Sequence, residues 1–275
     1  MDDDALQKSP FRLWLVEAFV FVNLTFLAVD VYIAHMVNDF AKWTQWIPVF
    51  FSVSVPLLLL PGLLKRQHNT SFTWWAGLLV GSLSIVVGVY GLFLHLENAF
   101  FQEQTIKSLV YSAPFIAPLS YAGIGLLLIL NRLESNETVA WGVWIVFLAM
   151  CGFVGNLGLS LADHSQNGFF YTAEWISVFA AAFAVSFLLV VLFRPDDRNL
   201  IYVCSLVMAL EILVGLIGFG YHLIADLKGP SESIQDNFVY GAPIFAPLLF
   251  ANLALLAMIG LWELYFFPNE KQADE

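Results

Sequence analysis

Four histidines recur in a shared sequence context that suits metal or haem binding. Three of them are followed by asparagine at the third position and phenylalanine at the fifth, in His35-Met-Val-Asn38-Asp-Phe40, His95-Leu-Glu-Asn98-Ala-Phe100 and His164-Ser-Gln-Asn167-Gly-Phe169. The fourth copy, His222-Leu-Ile-Ala225-Asp-Leu227, keeps only the histidine. Imidazole is the commonest protein ligand for metal ions and an axial ligand of haem. The pattern predicts a haem or divalent-metal site built from His35, His95, His164 and His222.

A structural interpretation of the same motif stands beside this one. Asparagine is a natural left-handed residue after a helix, and histidine interacts favourably with the negative end of the helix dipole. The motif would then end a helix, with its phenylalanine packing back on the bundle. The fourth copy favours a ligand role, because a cap alone would not require that the histidine be kept.

Acidic and phenolic groups lie close to these histidines in the sequence. Asp163 directly precedes His164, and Glu97 follows His95 by two residues, so both are predicted to orient the imidazoles of a metal or haem site. Tyr111 and Tyr240 are predicted either to donate hydrogen bonds to a ligand or to anchor the chain at a membrane interface.

Glu211 is a single acid within a long apolar segment. An acid inside the membrane is a functional hypothesis by default. Glu211 is predicted to belong to a proton relay or a transport path, or to be a protonated acid bonded to a neighbouring helix. Glu17, nearer to the predicted inner surface, is predicted to reach Arg12 or water in a structural role.

The elements that position these residues are predicted from composition. Of the 275 residues, 60% are apolar and only 12% are charged, whereas about a quarter of a soluble domain is charged. A soluble globule and a disordered chain are excluded, and the net charge of −11 argues against nucleic acid binding. Eight segments are long enough to span a bilayer: 13–36, 46–64, 73–95, 111–131, 139–161, 170–193, 199–224 and 239–266. The predicted fold class is an all-α integral membrane protein with eight transmembrane helices.

The basic residues predict the orientation of these helices. With the N-terminus inside, eight of the eleven lysines and arginines lie on the cytoplasmic side, leaving only Lys42, Lys107 and Lys228 outside. The outer side is acidic and carries the four histidines, which predicts that it concentrates metal ions or docks a basic soluble partner; a solvated rim is the alternative. We expect a bacterial inner membrane protein with both termini in the cytoplasm.

An internal repeat divides the chain into two predicted halves, 1–135 and 136–275. Val110–Leu119 recurs as Val239–Leu248, and each half contains two helical hairpins whose first helix ends at a histidine. Halves with an even number of spans run parallel. Pro114 and Pro243 suit the first turn of a helix, whereas Pro118 and Pro247 are predicted to bend the helices that they enter.

These features lead to three functional hypotheses. The first is a haem- or metal-binding accessory or redox-linked membrane component. The second is a non-catalytic scaffold or assembly subunit of a larger membrane complex, and the third is a small-substrate transporter that uses Glu211. The chain lacks a phosphate-binding glycine loop, His-Glu-x-x-His, Gly-x-Ser-x-Gly and Cys-x-x-Cys, so the balance favours a protein that is not an enzyme.

Overall fold

The described part of the protein is helical. The structure is a computed structural model, which describes residues 3–65, 70–97, 99–133 and 139–266, with side chains from residue 11 onwards; Asn98 lies outside these ranges. The helices are α1 (Asp3–Met36), α2 (Trp46–Ser54), α3 (Leu60–Lys65), α4 (Ser71–Glu97), α5 (Phe100–Glu103), α6 (Ile106–Val110), α7 (Leu119–Leu133), α8 (Val139–Gln166), α9 (Glu174–Phe193), α10 (Arg198–Leu227), α11 (Ile234–Tyr240) and α12 (Leu248–Phe266). Short 3-10 helices at Trp43–Gln45 and Val55–Leu59 flank α2.

Seven helical segments of the described ranges are long and apolar enough to cross a membrane. They are Phe11–Met36, Trp43–Lys65, Ser71–Glu97, Val139–Gln166, Glu174–Phe193, Arg198–Leu227 and Leu248–Phe266. These lengths and compositions indicate an integral membrane protein and confirm the all-helical prediction for the described residues. Helix α7, which covers part of predicted span 111–131, has only 15 residues, so the count of eight spans stays a prediction.

The four repeat prolines lie before helices and not within them. Helix α7 begins at Leu119 and α12 at Leu248, each directly after the second proline of its pair. Pro118 and Pro247 have no N–H group and cannot donate to a preceding turn, so the chain around Pro114 and Pro243 forms turns, and the helix starts only after the second proline. The bends expected within these helices are replaced by late helix starts.

The described residues divide between two compact units, each drawn from both predicted halves. The first unit takes its residues from Met1–Val87, Tyr121–Asn136 and Phe219–Ala246. The second takes them from Gly88–Ser120, Glu137–Gly218 and Pro247–Glu275. The division into parallel halves at 1–135 and 136–275 therefore stays a prediction.

The first unit has a core built on α1 and on a close seam between α4 and α7. Val16, Val20 and Leu24 follow one face of α1 at helical spacing and are fully buried. In the seam, a Cβ atom on Gly81 would lie 2.8 Å from the carbonyl oxygen of Gly125, and a Cβ atom on Gly125 would clash with the carbonyl oxygen of Gly81. Two glycines therefore bring the backbones of α4 and α7 into contact, as small residues do in membrane helix pairs.

The second unit is built around α8, which packs against α9 and α12. Ala149 and Phe153 of α8, Ala181 of α9, and Ala254 and Ala257 of α12 are fully buried. The rings of Phe153 and Phe250 meet edge to face, with centroids 6.4 Å apart. Alanines on three helices let the backbones approach, and the aromatic pair fills the space that they leave.

Candidate functional site

The first and third copies of the histidine motif form the same tight turn at the end of a helix. Phe40 and Phe169 adopt left-handed backbone conformations, with φ of 51° and 53°. Their amides donate to the carbonyls of His35 and His164 over 3.4 and 2.9 Å. Each phenylalanine ring stacks on a tryptophan that follows the turn, Trp46 or Trp175, with ring centroids 4.0 Å apart. The motif closes a helix and pins the start of the next segment to it.

The left-handed residues of these turns differ from the prediction. We expected asparagine to take the left-handed position, but Asp39 and Gly168, which follow the asparagines, occupy it together with the phenylalanines. Asn167 instead accepts a hydrogen bond from the Phe169 amide at 3.0 Å and donates to the Glu174 carboxylate at 2.9 Å. Its short side chain satisfies the backbone of the turn, which frees the next residue to take the left-handed conformation.

The second and fourth histidines tie a helix to a proline turn. Nδ1 of His95 donates to the Pro114 carbonyl, and Nδ1 of His222 donates to the Pro243 carbonyl, both at 2.9 Å. In a continuous helix each carbonyl would accept from the residue four positions later, which is Pro118 or Pro247 and has no N–H group. Each carbonyl accepts instead from the amide three residues later, Ala117 at 3.2 Å or Ala246 at 3.1 Å, and the histidine adds a second donor. His222 thus has a structural contact although the rest of its motif is lost.

Asp226 strengthens the contact that His222 makes with the Pro243 turn. The sequence analysis assigned no role to this residue. It lies one turn after His222 on the same face of α10 and is only 1% exposed. Its Oδ1 accepts a hydrogen bond from the Ala242 amide at 2.9 Å, beside the carbonyl that His222 binds. The spacing of four residues from His222 is the signal by which it could have been found.

A carboxylate that the sequence analysis did not single out lies close to one repeat histidine. Nδ1 of His164 lies 3.8 Å from Oε2 of Glu174, whereas Asp163 is half-buried and Glu97 is exposed. Glu174 begins α9, and an antiparallel hairpin places the start of its second helix beside the end of its first. Tyr111 and Tyr240, predicted as donors to a ligand, are 58% and 64% exposed.

The histidines do not form a metal centre among the described residues. His35 and His222 belong to the first unit, and His95 and His164 to the second. No group of three or more histidine, cysteine, aspartate or glutamate side chains in the described ranges is arranged to hold a metal ion. Nδ1 of His35 donates to the Val31 carbonyl of its own helix at 3.0 Å. The described residues therefore contain no ready-made cluster of ligands for the predicted metal site.

A buried ion pair lies in the first unit, far along α1 from His35. Nη2 of Arg132 is 2.9 Å from Oε1 of Glu17, and the two side chains are 2% and 1% exposed. Next to Arg132, Asn131 donates to the Leu13 carbonyl at 3.1 Å. Gly62 and Gly77 leave room for the pair, since a Cβ atom on Gly62 would lie 3.0 Å from Glu17 Oε1 and one on Gly77 would clash with the Arg132 guanidinium. Arg132 is a partner of Glu17 that the sequence analysis did not name, and the predicted contact with Arg12 or water stays a prediction.

Comparisons with known proteins add no relative to this geometry. No family model matches the chain, and neither a curated protein nor a solved structure is significantly similar to it.

Proposed function

We propose that this protein is a non-catalytic membrane subunit that presents apolar loop residues to a protein partner. The observation that carries the proposal is a set of large, highly exposed apolar side chains in or beside the connections that follow the histidine-bearing helix ends: Trp43, Ile106, Tyr111, Phe170, Tyr171 and Tyr240. Except for Trp43, which begins a candidate span, these residues lie outside the segments that are apolar and long enough to cross a membrane. Exposed apolar side chains in such positions are typical of interaction sites, and aromatic residues dominate the binding energy of many interfaces.

The hydrogen bonds of His95 and His222 support this proposal, because they hold two of these connections in place. His95 binds the turn that follows Tyr111, and His222 with Asp226 binds the turn that follows Tyr240. A loop that is already ordered loses less conformational freedom on binding than a mobile one. The histidines then act as positioning residues for a contact surface.

Charge on the same connections indicates the character of the partner. Five of the acids predicted on the outer side are exposed: Asp39, Glu97, Glu103, Glu232 and Asp236. They outnumber the exposed Lys42, Lys107 and Lys228. Together with the bias of basic residues, this supports our proposal that the histidine-bearing ends face the outer surface of a bacterial inner membrane and a partner with basic residues.

Site-specific photo-crosslinking in native membranes tests the proposed contact. A photoreactive phenylalanine analogue at Tyr111 or Tyr240 is expected to yield a discrete protein adduct, which mass spectrometry identifies. The matched control is Tyr202 in α10, which is 59% exposed but lies near the opposite end of its helix from His222. Adducts to lipid alone at all three positions would contradict the proposal and would assign both tyrosines to the membrane interface.

A haem- or metal-binding function is the second candidate, and the histidine tautomers favour it. Because Nδ1 of His95 and of His222 carries the proton given to a carbonyl, the lone pair of the neutral ring lies on Nε2. Metal-ligating histidines commonly donate their other ring nitrogen in this way.

An optical spectrum and elemental analysis of the purified protein decide the second candidate. Haem binding predicts a Soret band that is lost in His222→Gln, a variant that still carries a side-chain N–H donor. Metal binding predicts a stoichiometric metal content that falls in the same variant. A folded preparation with neither signal eliminates this candidate and leaves the first proposal intact.

A further inference from the structure

Glu211 is a buried acid in the middle of α10, and it forms no ion pair with a basic residue in the part of the chain that the structure describes. It is 3% exposed, and its Oε2 atom has no hydrogen-bond partner among the residues that the structure describes. It lies about 20 Å along the helix from Arg198, at a rise of 1.5 Å per residue. An ionised carboxylate at this depth would be strongly disfavoured without a cation beside it.

The face of α10 that carries Glu211 packs against the start of α12. Cys204 and Met208 precede Glu211 on this face at helical spacing, and both are fully buried. Gly215 and Gly218 follow on the same face, where added Cβ atoms would lie 2.9 Å from the Pro247 carbonyl oxygen and 2.8 Å from the Pro247 Cβ. Glu211 therefore lies on the buried face of α10, one turn before this helix approaches Pro247 closely.

The equivalent seam of the first unit has no acid. The spacing that relates His95 to His222 also relates Ser84 to Glu211. Ser84 is fully buried, and its hydroxyl donates to the Val80 carbonyl of its own helix at 2.8 Å. The serine hydroxyl thus has a hydrogen bond within its own helix, so packing at this position does not require a carboxylic acid.

We propose that Glu211 is a proton-binding site, held as a neutral carboxylic acid that exchanges its proton with water. A proton is the cation that fits, because it needs only one oxygen, whereas a bound metal cation needs several oxygen ligands. Met208 and Gly215, one turn away on the same face, offer no side-chain oxygen, and no group of three or more histidine, cysteine, aspartate or glutamate side chains among the described residues could hold a metal ion. This site is independent of the proposed partner surface.

Infrared difference spectroscopy of the purified full-length protein tests the proposal. At neutral pH, the spectrum of the wild type minus that of Glu211→Gln is expected to show the C=O stretch of a protonated carboxylic acid, which shifts when H₂O is replaced by D₂O. The matched control is Glu103→Gln, whose difference spectrum should show only carboxylate bands because Glu103 is exposed.

Two results would overturn the proposal. Carboxylate bands alone in the Glu211 difference spectrum would show that the group is ionised, and an acid band that stays unshifted in D₂O would show that its proton does not exchange. If Glu211→Gln does not fold, Glu211→Ser supplies the difference spectrum, since serine is the residue of the equivalent seam.

Discussion

Glu17→Gln is expected to lower the free energy of unfolding by about 3–5 kcal/mol, the usual cost of removing one partner of a buried ion pair. The glutamine leaves the Arg132 guanidinium charged, and all three of its nitrogens are inaccessible to solvent. Arg132 cannot lose its proton to relieve this cost, because an arginine side chain stays charged in proteins. Unfolding of the detergent-solubilised protein with increasing SDS, followed by circular dichroism, measures the change.

The double variant Glu17→Gln/Arg132→Met tests whether the unpaired charge causes this loss of stability. Removing both charges is expected to restore much of the loss, because the single variant is penalised by the charge left unpaired. Glu103→Gln serves as the control, since Glu103 is exposed and its loss should leave stability unchanged. A double variant that is less stable than the single variant would show that the pair itself, and not an orphaned charge, sets the cost.

Gly125→Ala is expected to destabilise the protein by about 3 kcal/mol, at the upper end of the range for overpacking a close contact. The added methyl group would clash with the Gly81 carbonyl oxygen, which belongs to a helix backbone and cannot rotate away as a side chain can. Helices α4 and α7 would have to separate, and the buried Ser84 beside the seam would lose its packing. The same SDS titration measures this change.

Gly123→Ala is the matched control for the glycine seam. It lies on the same helix, and a Cβ atom there would meet nothing within 4 Å. We expect it to leave stability unchanged or to raise it slightly, because alanine favours the helical conformation over glycine. An equal loss of stability in the two variants would show that the substitutions act on α7 alone, and it would contradict a close contact between α7 and α4.

Much of the helical architecture was predictable because hydropathy reports burial in lipid directly. The apolar runs at 139–161 and 170–193, for example, correspond to α8 and α9. For the run at 111–131, hydropathy predicts too early a helix start. Its apolar residues continue through Pro114 and Pro118, and hydropathy does not take account of a missing N–H group. The helix therefore starts later than the apolar segment does.

The candidate site was only partly predictable, because spacing identifies residues but not their partners. The repeat singled out His95 and His222, yet the carbonyls that they bind lie 19 and 21 residues further along the chain. Glu174 became visible as the neighbour of His164 only once the hairpin was closed. No local pattern in the sequence relates Glu17 to Arg132, so this partner could not be predicted.

The buried ion pair has a consequence for how the protein is made. Asn131 and its contact Leu13 are separated by 118 residues, and the adjacent Arg132 is similarly distant from Glu17. When α1 leaves the ribosome and enters the membrane, α7 has not yet been synthesised, and Glu17 has no arginine from that helix beside it. The first unit can close only after α7 has been inserted, so α1 must remain free to move laterally, or be held by the insertion machinery, while the intervening helices are translated.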